Sequence, residues 1–204
     1  MEPVPVVMRA DDPRRADLEA RGWHVTARSW GAQFDRSAVD SASLRDMVAR
    51  VADVATVGEL GVDDVSAVLA LDAATWEDFP GGVATAHRPL TRERGTPGPS
   101  RRAFGARASG ELVAMTFLDV ADSRGETDFT TVAAPWRGRG LGTAVKAASV
   151  RTLVAEGLTQ LRTGGSVDNG ASVAMNRRVG YVLDEEWITM APMAPSAKPS
   201  RRRS

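Results

Sequence analysis

Residues Thr130–Ala148 read TTVAAPWRGRGLGTAVKAA. The stretch opens on β-branched residues that favour a strand, passes Pro135, and enters a run with the composition of a helix. At the junction, Arg137 to Gly142 hold two arginines and three glycines. A helix N-terminus leaves several amide N–H groups unpaired and carries partial positive charge. Glycines let that backbone approach a bulky anion with no Cβ in the way. Guanidinium forks match phosphate oxygens. The pattern is that of a pyrophosphate cradle. Glycines kept only for positive φ, beside solvated arginines, would produce the same letters.

Two other phosphate loops do not fit. The P-loop pattern needs a Gly-Lys-Ser/Thr that the stretch lacks. A dinucleotide fingerprint would read Gly138, Gly140 and a third glycine, but Thr143 stands there. Its acidic partner should end a following strand, whereas Glu156 sits at a predicted helix end.

Working outward, the segments on either side alternate strand and helix. Upstream, Val54–Leu60 reads as a strand and Val62–Trp76 as a helix with Val65, Val68, Leu69 and Ala73 on one face. Arg88–Arg102 is rich in Pro, Gly and Arg and is expected as a mobile loop. Ala103–Val120 reads as a hairpin turning at Ser109-Gly110, and Glu126–Ala134 as the next strand. Downstream, a helix runs from about Gly140 to Glu156. Leu158–Gly165 follows as a strand, Asn169–Val179 as a helix capped by Asp168 or Asn169, and Tyr181–Pro192 as closing strands. The fold class is therefore mixed α/β around one sheet. Residues 52–193 form the expected domain. Residues 1–51, with helix, strand and helix, are expected as an N-terminal extension, and residues 194–204 as a disordered basic tail.

The 204 residues carry 26 Lys+Arg against 26 Asp+Glu, so net charge gives no sign of nucleic-acid or membrane binding. The basic tail, Lys198 and Arg201 to Arg203, lacks the interleaved aromatics of a nucleic-acid site. There is no cysteine, which removes disulfides and thiolate metal sites, and both histidines, His24 and His87, are isolated in the sequence. No metal is expected. No apolar run has membrane-spanning length and no signal-peptide pattern opens the chain, so a soluble, cytoplasmic protein is the default expectation.

On these motifs the sequence resembles the GCN5-related N-acetyltransferases. Their acetyl-coenzyme-A loop reads Gln/Arg-x-x-Gly-x-Gly/Ala between the fourth strand and third helix, and Arg137, Gly140 and Gly142 fill it. A second family element is an asparagine, a short helix and Gly-Phe/Tyr. Asn169 opens NGASVAMNRRVGY, which ends in Gly180-Tyr181. The resemblance spans roughly Val54 to Met190. It implies a mixed, mostly antiparallel sheet flanked by helices, with splayed fourth and fifth strands. It also implies acetyl-coenzyme A as co-substrate. The pantetheine arm would pair with the backbone at Val132 and Ala134, and the Val132 N–H would face the thioester oxygen. Amides of Arg137, Gly138, Arg139, Gly140, Leu141, Gly142 and Thr143 would hold the pyrophosphate. The Asn169 side chain would bond the pantetheine, although a plain helix cap accounts for it equally well. Some members carry two tandem copies of the fold, and residues 1–51 could be the remnant of a degenerate first copy.

The resemblance implies transfer of an acetyl group to a primary amine of a small molecule (an amine, amino acid or antibiotic-like compound) through a ternary complex. Such chemistry needs a group that takes a proton from the amine. The acid and base positions of many relatives fall here on Asn176 and Gly164, neither of which titrates usefully. Glu126 and Asp128, on one face at the start of the fourth strand, are the candidate catalytic residues. Trp76, Glu77, Asp78 and Phe79, at the end of the first domain helix, are candidates for binding a cationic substrate through charge and ring contact. A catalytically impaired acyl-coenzyme-A-binding domain is the alternative. Association as a homodimer is left open.

Overall fold

The computed structural model describes residues 4–37, 39–80 and 82–193. Expectations for the basic tail fall outside these residues. One eight-stranded sheet runs through the molecule: β1 (Val6–Arg9), β2 (Trp23–Phe34), β3 (Thr56–Glu59), β4 (Arg101–Ala108), β5 (Glu111–Ala121), β6 (Arg124–Val132), β7 (Gln160–Ser166) and β8 (Tyr181–Pro192). Their order is β1-β8-β2-β7-β6-β5-β4-β3. All neighbours pair antiparallel except β6 and β7.

Tight turns hold the central meander. Ser109 (φ +50°) and Gly110 (φ +86°) both take positive φ between β4 and β5, as a two-residue hairpin turn requires. The helices are α1 (Arg14–Ala20), α2 (Ser41–Ala49), α3 (Val65–Ala73), α4 (Arg92–Gly95), α5 (Leu141–Ala155) and α6 (Gly170–Val179). Asp40 caps α2 by accepting from the Ser43 N–H at 2.7 Å. Gly180, at φ +105°, ends α6 and turns the chain into β8.

The sheet has helices on both faces. Leu44 of α2 and Ala147, Val150 and Leu153 of α5 pack with Phe104, Leu118, Leu161 and Tyr181. Val68 and Leu71 of α3 pack on the other face with Met115, Phe117 and Phe129. The buried stripe of α3 is Val65, Val68, Leu71 and Asp72, whereas Ala73 is exposed.

Three expectations are corrected. Residues 1–51 are not merely appended. β1 pairs with β8, and β2 lies between β7 and β8, bonded to both. The hydrophobic side chains Trp30, Ala32 and Phe34 of β2 bury into the main core, and that burial draws the segment into the sheet. The stretch Arg88–Arg102 is partly ordered. Thr91 caps α4 through the Arg94 N–H, and Gly98 bridges to Arg101 at the start of β4. The closing segment is a single strand of 12 residues, β8.

Candidate active site

The site begins where two parallel strands part. β6 and β7 pair only at Arg124–Glu126 against Gln160–Arg162. Beyond that point, Thr127–Val132 and Thr163–Ser166 have no strand pairing with each other. β6 remains bonded to β5, and β7 to β2. These are the fourth and fifth strands counted from Thr56, splayed as the resemblance implies. A β-bulge sits on β6 at the fork: Phe117 pairs with Phe129 and Leu118 with Thr127, leaving Asp128 as the extra residue. A cavity of about 1140 Å³ follows the fork. Its wall includes β6 from Glu126 to Val132, the loop entering α5, the start of α6 and parts of the segment Asp78–Arg88.

The loop entering α5 supplies the anion end. Gly138 and Gly140 sit at φ +74° and +84°, so the backbone demands glycine at both. Gly142 sits in a tight space: a Cβ there would lie 3.2 Å from Met175 Sδ and 3.4 Å from Val132 Cγ2. A Cβ on Gly140 would face Val51 at 3.7 Å. Gly140 offers no side-chain cap, so the amides of the first turn of α5 lack side-chain partners. Neither arginine is held free. Arg137 Nε donates to the Val132 carbonyl at 3.1 Å and its guanidinium pairs with Asp78. Arg139 stacks over Trp136 at 4.9 Å. The amides, more than the guanidiniums, are left for an anion. Val132, Arg137, Gly138, Gly140, Leu141, Gly142, Thr143 and Asn169 all line the cavity. Ala134 and Arg139 are not part of its wall.

Around α6 the polar side chains divide. Asn169 Oδ1 accepts from the Ser172 N–H at 3.0 Å, so the side chain serves as the helix cap while also lining the cavity. Asn176 Nδ2 donates to the Ser172 carbonyl at 2.9 Å. Its Oδ1 is buried with no partner among the described residues, an unspent acceptor on the cavity wall. Gly164 has a packing reason to be glycine: a Cβ would lie 2.9 Å from the Trp30 carbonyl oxygen of β2.

The two candidate carboxylates differ. Asp128 Oδ2 accepts from Arg94 at 2.9 Å and from Arg101 at 2.6 Å. Glu126 lines the cavity within Coulombic reach of Arg162 and forms no close ion pair among the described residues. Of the predicted substrate residues, Asp78 and Phe79 reach the cavity. Trp76 and Glu77 do not line it.

Two buried polar groups escaped the sequence reading. His87 Nε2 lies 2.6 Å from Asp72 Oδ1, and Asp72 Oδ2 accepts from the Leu90 N–H at 2.7 Å. Both side chains are under 5% exposed (4% and 3%), and His87 lines the cavity. The available signal was an aspartate at the seventh position after Val65, inside the apolar stripe of α3. The other group is Lys146, whose Nζ donates to Thr163 Oγ1 at 2.8 Å just past the fork. Burial pushes its pKa down to about 7. A lysine two turns into a helix carries no motif that would have marked it.

The fork between the parallel strands and the glycine-rich helix N-terminus border one cavity. The model of the Acetyltransferase (GNAT) family matches residues 68–181, and the chain belongs to that family. A putative GNAT-family acetyltransferase from Novosphingobium aromaticivorans is similar at TM-score 0.56 and 18% identity, with 94% of this chain and 74% of that chain covered. A GCN5-related N-acetyltransferase from Kribbella flavida gives 0.63 and 16%, with 94% and 68% covered. A tandem GNAT protein from the clavulanic acid biosynthesis pathway gives 0.60 and 20%, with 95% and 64% covered. No curated protein matches the chain. As a family member the chain is assigned to acyl-coenzyme-A-dependent acetyl transfer in general terms. Among the described residues no helix is long and apolar enough to cross a membrane.

Proposed function

We propose that this chain transfers the acetyl group of acetyl-coenzyme A to a primary amine of a small molecule, through a ternary complex. The observation that carries this reading is one cavity that joins the anion-ready start of α5 to the unpaired inner edge of β6. The residues fit the co-substrate. Gly142 leaves room between Met175 and Val132 on the cavity wall, and the first-turn amides suit its pyrophosphate. Acetyl-coenzyme A supplies an activated acyl group on a thiol leaving group. Val132 and its neighbours on β6 offer backbone groups to the pantetheine arm and to the thioester oxygen. Glu126 gives the wall a carboxylate that draws in a cationic amine.

Calorimetry with acetyl-coenzyme A and thiol release against a panel of primary amines test the reading together. Expected are saturable binding, loss of binding in Gly142→Val, and turnover with at least one amine. Binding with no turnover for any amine would favour the impaired acyl-coenzyme-A-binding alternative, to which Asn176 and Gly164 at the family's acid and base positions lend support. No binding at all would overturn both.

A further inference from the structure

We propose that His87, oriented by Asp72, takes the proton from the acceptor amine in this cavity. The inference rests on the acetyl-transfer reading above. Asp72 Oδ2 accepts from the Leu90 N–H at 2.7 Å, and Asp72 Oδ1 lies 2.6 Å from His87 Nε2. A carboxylate bonded in this way calls for the proton on Nε2, so the imidazole presents Nδ1 as a base. No described residue bonds Nδ1. The ring packs against two aromatic rings, stacked on Phe79 at 4.4 Å and tilted against Phe129 at 4.4 Å. Phe129 belongs to β6, directly after the bulge at the fork. The imidazole therefore stands over the strand that would carry the thioester.

Two other carboxylates of the wall are committed. Asp128 holds Arg94 and Arg101, and Asp78 holds Arg137. Glu126 is free of close ion pairs, but no described residue orients its carboxylate. A base fixed by packing and by a second hydrogen bond loses less freedom in the reaction than an unfixed one. The cationic amine first sheds one proton to solvent, which frees its lone pair. That lone pair then forms the C–N bond to the acetyl carbonyl carbon, the C–S bond breaks with its electron pair on sulfur, and one remaining amine proton passes to Nδ1. The imidazolium then returns that proton to the thiolate or to solvent, leaving amide and free thiol.

The test has two readouts. The first is the tautomer of His87 by ¹⁵N NMR of the imidazole. The chain has two histidines, so His24→Gln assigns the signals. Nε2–H with a bare Nδ1 is expected, and Asp72→Asn should disturb it. A ring protonated on Nδ1 in the neutral form would overturn the proposal, whether or not an acceptor amine is in hand. The second readout is turnover with an amine the wild type acetylates. His87→Gln keeps a donor for Asp72 but removes the base. It should lower kcat on the order of a hundredfold with acetyl-coenzyme-A affinity unchanged. His87→Gly should recover part of the loss with added imidazole. A kcat within about threefold of wild type in His87→Gln would overturn the proposal. If no amine is acetylated by the wild type, the function proposed above fails instead, and the NMR result still decides the state of His87.

Discussion

Lys146 is the residue whose burial has the plainest thermodynamic signature. It is 1% exposed, its Nζ donates to one hydroxyl, and it lies 4.8 Å from the centre of the Tyr181 ring. Burial lowers its pKa to about 7 from an ordinary 10.5. Between these two values the unfolded chain binds the proton and the native protein does not. Stability attributable to this residue therefore rises with pH across that window and is flat below it. Lys146→Met removes the effect. The variant should gain stability over wild type at pH 6, and the gain should shrink toward pH 10. Urea unfolding at several pH values checks the sign, and a gain that grows with pH would contradict it. At the same scale, the two loop glycines should fail differently. Gly140→Ala meets a backbone at φ +84° and should cost about 1 kcal/mol of stability. Gly142→Val, at ordinary helical φ, should lose cofactor binding through crowding at Met175 and Val132. Thermal melts and calorimetry on the pair separate strain from obstruction. These glycines were legible because their spacing is local. His87 and Asp72 were not, since they stand 15 residues apart in the chain and only the fold of the connecting segment brings them together.

Among the elements, the helices and strands from β3 to β8 other than α4 were readable from period and punctuation, because turn chemistry such as Ser109-Gly110 acts between neighbours. The place of β2 was not. Its alternation marks a strand, but nothing in a strand states which edges it joins, and its partners lie at the other end of the chain. The glycines at the β2–β7 contact record that placement afterwards: a side chain on Gly164 or Gly165 would strike Trp30. Gly164→Glu should therefore destabilise the protein by about 1–3 kcal/mol rather than supply a base. A thermal melt checks this. A second element-scale prediction concerns Arg102 of β4, 17% exposed, which pairs with Glu59 of β3 and with Glu156 just past α5. These partners hold its guanidinium firmly charged. Arg102→Met should cost about 0.5–1 kcal/mol, since two half-exposed carboxylates lose one shared partner, and more at low salt than at high. An equal loss at both salt concentrations would assign the effect to packing instead.

For the whole molecule, the proposed function has both substrates meet in the cavity at the fork between β6 and β7, so initial rates should fit intersecting lines with both substrates varied. Parallel lines would indicate an acetylated enzyme and overturn the ternary complex. Among the described residues no group of three His, Cys, Asp or Glu could hold a metal ion, and chelation with EDTA is expected to leave turnover unchanged. The mixed sheet was legible as a class; its closure was not, because closure joins residues near 25 to residues near 190. That closure bears on how the protein is made. β2 leaves the ribosome early with both hydrogen-bonding edges bare, and it stays so until β7 and then β8 are synthesised. Pairings across such sequence distances form slowly, and bare edges invite association with other chains. Nascent chains halted before Gln160 should therefore require a chaperone to remain dispersed, whereas release of the full chain lets the last strand slide between β1 and β2 and end the exposure.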